Sequence, residues 1–228
     1  MNDLAQKLIE ELQCETVFTI PVLGGIPVSE AVVVTWIIMA VLVIAAFILT
    51  RNLKVDHISK RQAVAESIVT GLMNMVQGMV GEKGKEYVPY LTTVMLYIGV
   101  SNIIGLFGFK SPTKDLRVTV ALALMSIILI EAAGIYHKGV KRWLHGFVEP
   151  VAIVTPINIL EVVTKPLSLC MRLFGNVLGA FVIMELLKMI LPVGLPVVFS
   201  LYFDIFDGLL QAYVFVFLTS LYIDEITE

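Results

Sequence analysis

The chain has 228 residues, 58% of them hydrophobic and 15% charged, with a mean hydropathy of +0.91. Soluble domains are nearer about 45–50% apolar and about 25% charged, so an ordinary water-soluble core is excluded and a polytopic membrane protein with small exposed ends is implied. The net charge of −3 decides little, because the charges beside membrane spans matter more than their total.

Residues 1–18 set charges among Leu4, Leu8, Ile9 and Leu12, a spacing that predicts a short amphipathic helix in an outer N-terminal segment, 1–30. Its polar start is unlike a cleavable signal peptide. The run PVLGGIP (21–27) reads as a turn. Residues 31–50 carry no charge and at ~1.5 Å rise per residue reach about 30 Å, one hydrocarbon thickness. Arg51, Lys54, His57, Lys60 and Arg61 follow, which puts that flank in the cytoplasm and the N-terminus outside. Residues 61–85 place Val64, Ile68, Leu72, Met75 and Met79 at helical spacing among polar groups, the pattern of an amphipathic interfacial helix.

Second and third spans are predicted at 87–109 and 116–137, joined by an outer turn, KSPTKD (110–115). Ser101 and Asn102 inside the second suit hydrogen bonding between helices. Glu131 lies about 9 Å of helix rise from His137, where it either reaches the cytoplasmic interface, pairs with Lys138 or takes part in ion transfer. The basic loop HKGVKRWLHG (137–146) is again cytoplasmic. Pro150 and Pro156 break the chain before a final hairpin, 157–223, which turns at PVGLP (192–196). The fold class is therefore an all-α membrane protein, one integral domain over 1–228, with about five membrane-embedded helices: three ordinary spans plus a long, tilted C-terminal helical hairpin. Cys14 and Cys170 are too few for a disulfide framework, and no metal-ligand spacing, phosphate loop or nucleophile motif is present. No metal, cofactor, nucleotide or nucleic acid is expected to bind.

The hairpin carries charges where they are expensive: an ion at the bilayer centre costs about 2.5–3.5 kcal/mol on insertion scales. At about 100° per residue, Glu161, Lys165, Ser168, Arg172, Asn176 and Gly179 form one stripe, while Glu185 and Lys188 fall round the helix towards its outer end. Pro166 should bend this helix or mark its start. On the last helix Asp204, Asp207 and Gln211 share a face that a hairpin could turn against the stripe. Arg172 stays cationic wherever it lies, since guanidinium does not shed its proton. Such residues mark ion pathways, although a structural ion-pair network would use the same residue types.

KPLSLCMRLFGN (165–176) resembles the signature of subunit a of F-type ATP synthases, and SNIIGLFGFKSPTKDLRVTVALAL (101–124) and LLQAYVFVFLTSLYI (209–223) resemble its other signature segments, in the same order. The resemblance implies a non-enzymatic, ion-translocating stator in the bacterial cell membrane, with the C-terminus cytoplasmic. Its implied partners are the c-subunit ring and the b subunits of the peripheral stalk, within an ATP synthase complex embedded in the lipid bilayer. Arg172 would separate two half-channels for H⁺ or Na⁺; Asn176 and Gln211 match the family's polar residues near it. Asp204 matches the carboxylate of the outer half-channel, and Phe181 stands where some members have a glutamate, which shifts the burden to Asp204 and Asp207. Glu161 with Lys165 is the candidate for the inner half-channel, and Glu185 and Glu131 are further candidates. The competing classes are a secondary transporter, which the lack of internal repeats disfavours, and a membrane scaffold with structural charges.

Overall fold

A computed structural model describes residues 16–21, 26–51, 53, 59–107, 109, 111–148, 152–190 and 194–227. The amphipathic helix expected over 1–18 lies largely outside these residues, as do Cys14, Lys54, His57 and Pro150. Its last residues are corrected: Thr16–Ile20 is a strand, β1, paired antiparallel with β2, Ile26–Ser29. Thr16, Val17, Phe18, Thr19 and Ile20 are β-branched or aromatic, which suits a pleated strand better than a helix.

Among the described residues five helical stretches are long and apolar enough to cross a membrane: Glu30–Thr50, Gly84–Phe107, Leu116–Lys138, Thr155–Leu187 and Val198–Thr227. They are built from α1 (Glu30–Thr50), α3 (Val88–Ile103), α4 (Leu116–Lys138), α6 (Thr155–Ile190) and α8 (Gly208–Thr227). The other α-helices are α2 (Lys60–Gln77), α5 (Val140–Gly146) and α7 (Leu195–Ser200). The class is all-α, with the β-hairpin as an appendage.

The core lies where α3, α4 and α8 meet. Leu91, Ile98, Leu122, Ile130, Phe215, Val216 and Ile223 fill it, and Leu169 and Leu173 attach α6. α1 is much more exposed, with Val43 and Phe47 each 68% open, as a helix facing lipid would be. α3 and α8 approach closely through small residues: a Cβ on Gly208 would lie 2.8 Å from Cβ of Asn102, and one on Gly99 would meet Leu209 and Ala212. Small residues let helix backbones come together in a membrane, where lipid is as apolar as any side chain.

Local chemistry sets the ends of the helices. Asp115 caps α4 by accepting from the Arg117 amide at 2.9 Å. Gly139, at φ 77°, ends α4 in a conformation that side chains with a Cβ rarely adopt. Pro156 falls in the first turn of α6, where a missing N–H costs nothing, so it starts the helix. Pro166 lies inside α6, and the helix runs through it to Ile190.

Candidate functional site

α6 presents two unlike faces. Leu169, Cys170 and Leu173 are buried against the bundle, and the Cys170 thiol lies 3.5 Å from the Thr119 hydroxyl of α4. Arg172, Ser168 and Asn176 point outward and are exposed, beside the exposed Leu167 and Met171. Among the described residues Arg172 makes no hydrogen bond or ion pair. Gly175 and Gly179 leave the adjoining surface low, with no atom in reach of an added Cβ. The stripe is thus a cationic line on an uncovered apolar face.

The face of the last helix is arranged differently from its sequence reading. Leu201–Asp207 is a π-helical segment, so its residues turn through less angle than in an α-helix. Gln211 is 5% exposed and turned into the bundle. Asp204 packs just beyond the C-terminal end of α3, where a Cβ on Gly105 would come within 3.2 Å of its Oδ1. Asp207 is half-buried. The stripe and this face therefore do not meet through hydrogen bonds or ion pairs among the described residues. The physical reason is the packing of α6: its buried side lies mainly on α4, which leaves Arg172 facing away.

At the end of the bundle bearing the turn before α4, a buried polar network joins that turn to α3, α8 and the start of α1. The Asn102 amide donates to the Gly208 carbonyl at 2.9 Å, and the Thr113 hydroxyl donates to Asn102 Oδ1 at 2.7 Å. Ser111 donates to the Ser101 carbonyl at 2.7 Å and lies 2.7 Å from the Thr113 hydroxyl. Ser29, at the start of α1, donates to Asp115 Oδ2 at 3.1 Å. The Lys114 ammonium rests 4.3 Å from the centre of the Phe181 ring. Phe181 is thus covered by a cation on its ring face.

At the opposite end a cavity of about 480 Å³ opens among α4, α5, α6 and α8. Glu161, Lys165, Glu131 and Glu225 line it. Lys165 pairs with Glu225 at 3.1 Å and with Glu161 at 3.8 Å, and its ammonium stands 5.2 Å from the centre of the Tyr222 ring. Glu131 accepts from Trp143 Nε1 at 2.8 Å, on the cavity that Lys138 also lines. Glu185 is half-buried, and the Lys188 side chain lies outside what the structure describes.

Sequence reasoning missed Lys114, Glu225 and Trp143. Glu225 lies past the end of the predicted hairpin at 223, but α8 continues to Thr227, which keeps that carboxylate on the bundle. Lys114 gave no local signal, since its neighbour Phe181 is distant in sequence. Among the described residues no cluster of three or more His, Cys, Asp or Glu side chains could hold a metal ion.

The family model described as ATP synthase A chain matches residues 32–224. The chain is 35% identical over 203 residues to ATP synthase subunit a of Moorella thermoacetica, covering 88% of this chain and 92% of that one. It is 33% identical over 208 residues to ATP synthase subunit a 1 of Chlorobaculum parvum, covering 90% and 91%. It is 34% identical over 215 residues to the sodium-ion-specific ATP synthase subunit a of Propionigenium modestum, covering 87% and 74%.

Proposed function

The chain belongs to the ATP synthase A chain family, a multi-pass membrane component of the synthase, and on that premise we propose that it is the stator along which ions cross to a ring of c subunits. The observation that carries the reading is the outward exposure of Arg172. A guanidinium facing lipid costs about 2.5–3.5 kcal/mol or more, so a partner bearing anionic groups is expected to cover that face. A ring of c subunits, each with an ion-binding carboxylate, has that chemistry.

In this reading Arg172 separates two half-channels. A carboxylate brought beside a fixed cation favours its charged form and releases its ion; carried on into lipid, the charged form is too costly and an ion must be taken up. The fixed charge also raises the barrier to an ion slipping directly from one path to the other. Asn176 and Gln211 contribute near the crossing point. Asp204, with Asp207, serves the outer path. Glu161 and Lys165 serve the inner one, with Glu225 and Glu131 on the same cavity wall. Glu185 belongs to the outer end of α6. The transmembrane potential adds about 2.3 kcal/mol per charge per 100 mV to drive the cycle.

The basic flanks around Arg51 and Lys138–Arg142 support a cytoplasmic inner side, with the N-terminus outside and the C-terminus cytoplasmic in a bacterial cell membrane. The chain acts as one integral domain, binds the b subunits of the peripheral stalk and leaves nucleotide chemistry to other subunits. The test is Arg172→Ala in the whole complex, reconstituted in vesicles. Normal assembly with ATP synthesis and coupled ion transport abolished is expected. Poor assembly with unchanged flux per assembled complex would instead make Arg172 a structural charge. Arg172→Lys should not restore coupling, because an amine lacks the planar fork and can deprotonate.

A further inference from the structure

Trp143 is held at a defined place on the wall of the inner cavity. Gly139, at φ 77°, turns the chain between α4 and α5, and α5 packs back on α4. The indole rests on Gly134, where an added Cβ would lie 3.2 Å from its Cδ1, and it meets the Phe147 ring edge to face, 5.0 Å between centres. Asn158 of α6 donates to the Phe147 carbonyl at 3.0 Å, which ties the end of α5 to α6. From this seat Trp143 Nε1 donates to Glu131 Oε2 at 2.8 Å. Glu131 lies one helical turn before Gly134, on the same face of α4.

Among the described residues three carboxylates line this cavity, and they are held in two ways. Glu161 and Glu225 share the Lys165 ammonium, at 3.8 and 3.1 Å. Either must loosen that ion pair to take a proton. Glu131 makes no ion pair among the described residues, and its partner is a neutral N–H. An indole only donates, and a carboxylate and a carboxylic acid both keep an oxygen that can accept from it. Oε2 can therefore stay on Trp143 whether Oε1 is bare or protonated.

We propose that Glu131 is the proton-exchanging group of the inner path and that Trp143 is its positioning residue. The proposal rests on the reading of this cavity as the inner path. The step is a proton transfer alone: an O–H bond forms at Glu131 Oε1 as one breaks on a hydronium ion, and the reverse step returns the proton to water. Nε1 keeps the carboxylate at one spot on the wall, so the exchange takes place at a fixed geometry. His137 and Lys138 on α4, Arg142 on α5, Glu161 and Lys165 on α6 and Glu225 on α8 face the same cavity. All six stay in place when Glu131 or Trp143 is replaced, so a comparison with wild type at each pH isolates the pair.

The test is ATP-driven proton uptake by the intact ATP synthase complex in proteoliposomes, with the inner mouth facing the medium. The medium is taken from mildly acid to mildly alkaline, and the ratio to wild type at each pH cancels the pH dependence of the nucleotide chemistry. Glu131→Gln should lose uptake progressively as protons become scarce, by about tenfold at the alkaline end, at the low end of acid–base effects because Glu161 and Glu225 remain. Trp143→Phe, which keeps an aromatic ring but removes the N–H, should bend the profile the same way by a smaller factor. The double variant should match Glu131→Gln alone, because Trp143 acts through Glu131. If Glu131→Gln assembles poorly, Glu131→Asp, which draws the carboxylate back from the indole, should give the Trp143→Phe profile. A wild-type profile in either Glu131 variant or in Trp143→Phe overturns the proposal. So do a double variant whose loss is the product of the two single losses and a wild-type complex that pumps Na⁺ in place of protons. Glu161→Gln separates the two levels: full uptake at every pH with Glu131 and Glu161 both replaced overturns the inner-path reading itself. Loss in Glu161→Gln, with full uptake in Glu131→Gln, overturns the role of Glu131 and Trp143 alone.

Discussion

At one end of the bundle Asn102, Ser111 and Thr113 are joined by bonds of 2.7–2.9 Å and are almost wholly buried. At the other, Lys165, Glu161 and Glu225 stand 3.1–3.8 Å apart around an open cavity, and both glutamate side chains are 52% exposed. The first end uses short, neutral side chains on helix termini and a turn, so few torsions have to be fixed. The second uses long charged side chains that keep much of their hydration. Neutral bonds sealed from water fix a geometry, because breaking one strands a buried group. Half-hydrated ion pairs exchange partners at little cost. A path that must hold a carboxylate against a fixed cation suits the first construction, and a wide aqueous entrance suits the second.

A matched pair of glycines gives the largest test of this difference. An added Cβ would lie 2.8 Å from Cβ of Asn102 at Gly208, and 2.8 Å from Cγ1 of Ile226 at Gly134. The distances are equal but the obstacles are not. Asn102 is held at both ends of its amide, whereas the Ile226 side chain can change rotamer. Gly208→Ala should cost about 1–3 kcal/mol in overpacking and further loosen the Asn102 bond. Gly134→Ala should cost about 1 kcal/mol or less. Thermal unfolding of the detergent-purified complex would rank them, and equal losses would remove the contrast between the two ends.

Asn102→Ala is next in size. It leaves the Gly208 carbonyl without its donor and takes away the acceptor of Thr113, which retains Ser111 as a neighbour. A loss of about 1–2 kcal/mol is expected, hardly altered by salt, because the groups are neutral and sealed. The same unfolding measurement, made at low and high ionic strength, checks both the size and the lack of salt dependence.

The spans were legible because membrane helices are written in long apolar runs, and the stripe was legible because Glu161, Lys165 and Arg172 obey one helical period. The relation between stripe and partner face was not. It depends on which side of α6 packs, and a π segment interrupts the α pattern at Leu201–Asp207; neither leaves a pattern in local spacing. β1 was missed because Thr16–Ile20 lies beside a segment whose leucines have helical spacing. Lys114 and Phe181 illustrate the general limit: periodicity names the residues on one element, whereas a contact between a turn and a helix depends on tertiary packing.

The smallest expected effect on stability is at Glu225. Glu225→Gln removes the 3.1 Å pair with Lys165 but leaves Lys165 with Glu161 at 3.8 Å, the Tyr222 ring and water from the cavity. Because the glutamate is half exposed, the loss should be about 0.5 kcal/mol or less and should fade as salt is added. The sealed Asn102 network should show no such fading, so the two variants measured together test hydration as the cause of the difference. A Glu225→Gln loss as large as that of Asn102→Ala, undiminished in high salt, would mean that a partner closes the inner cavity in the assembled complex. The inner pairs would then fix geometry as firmly as the outer network.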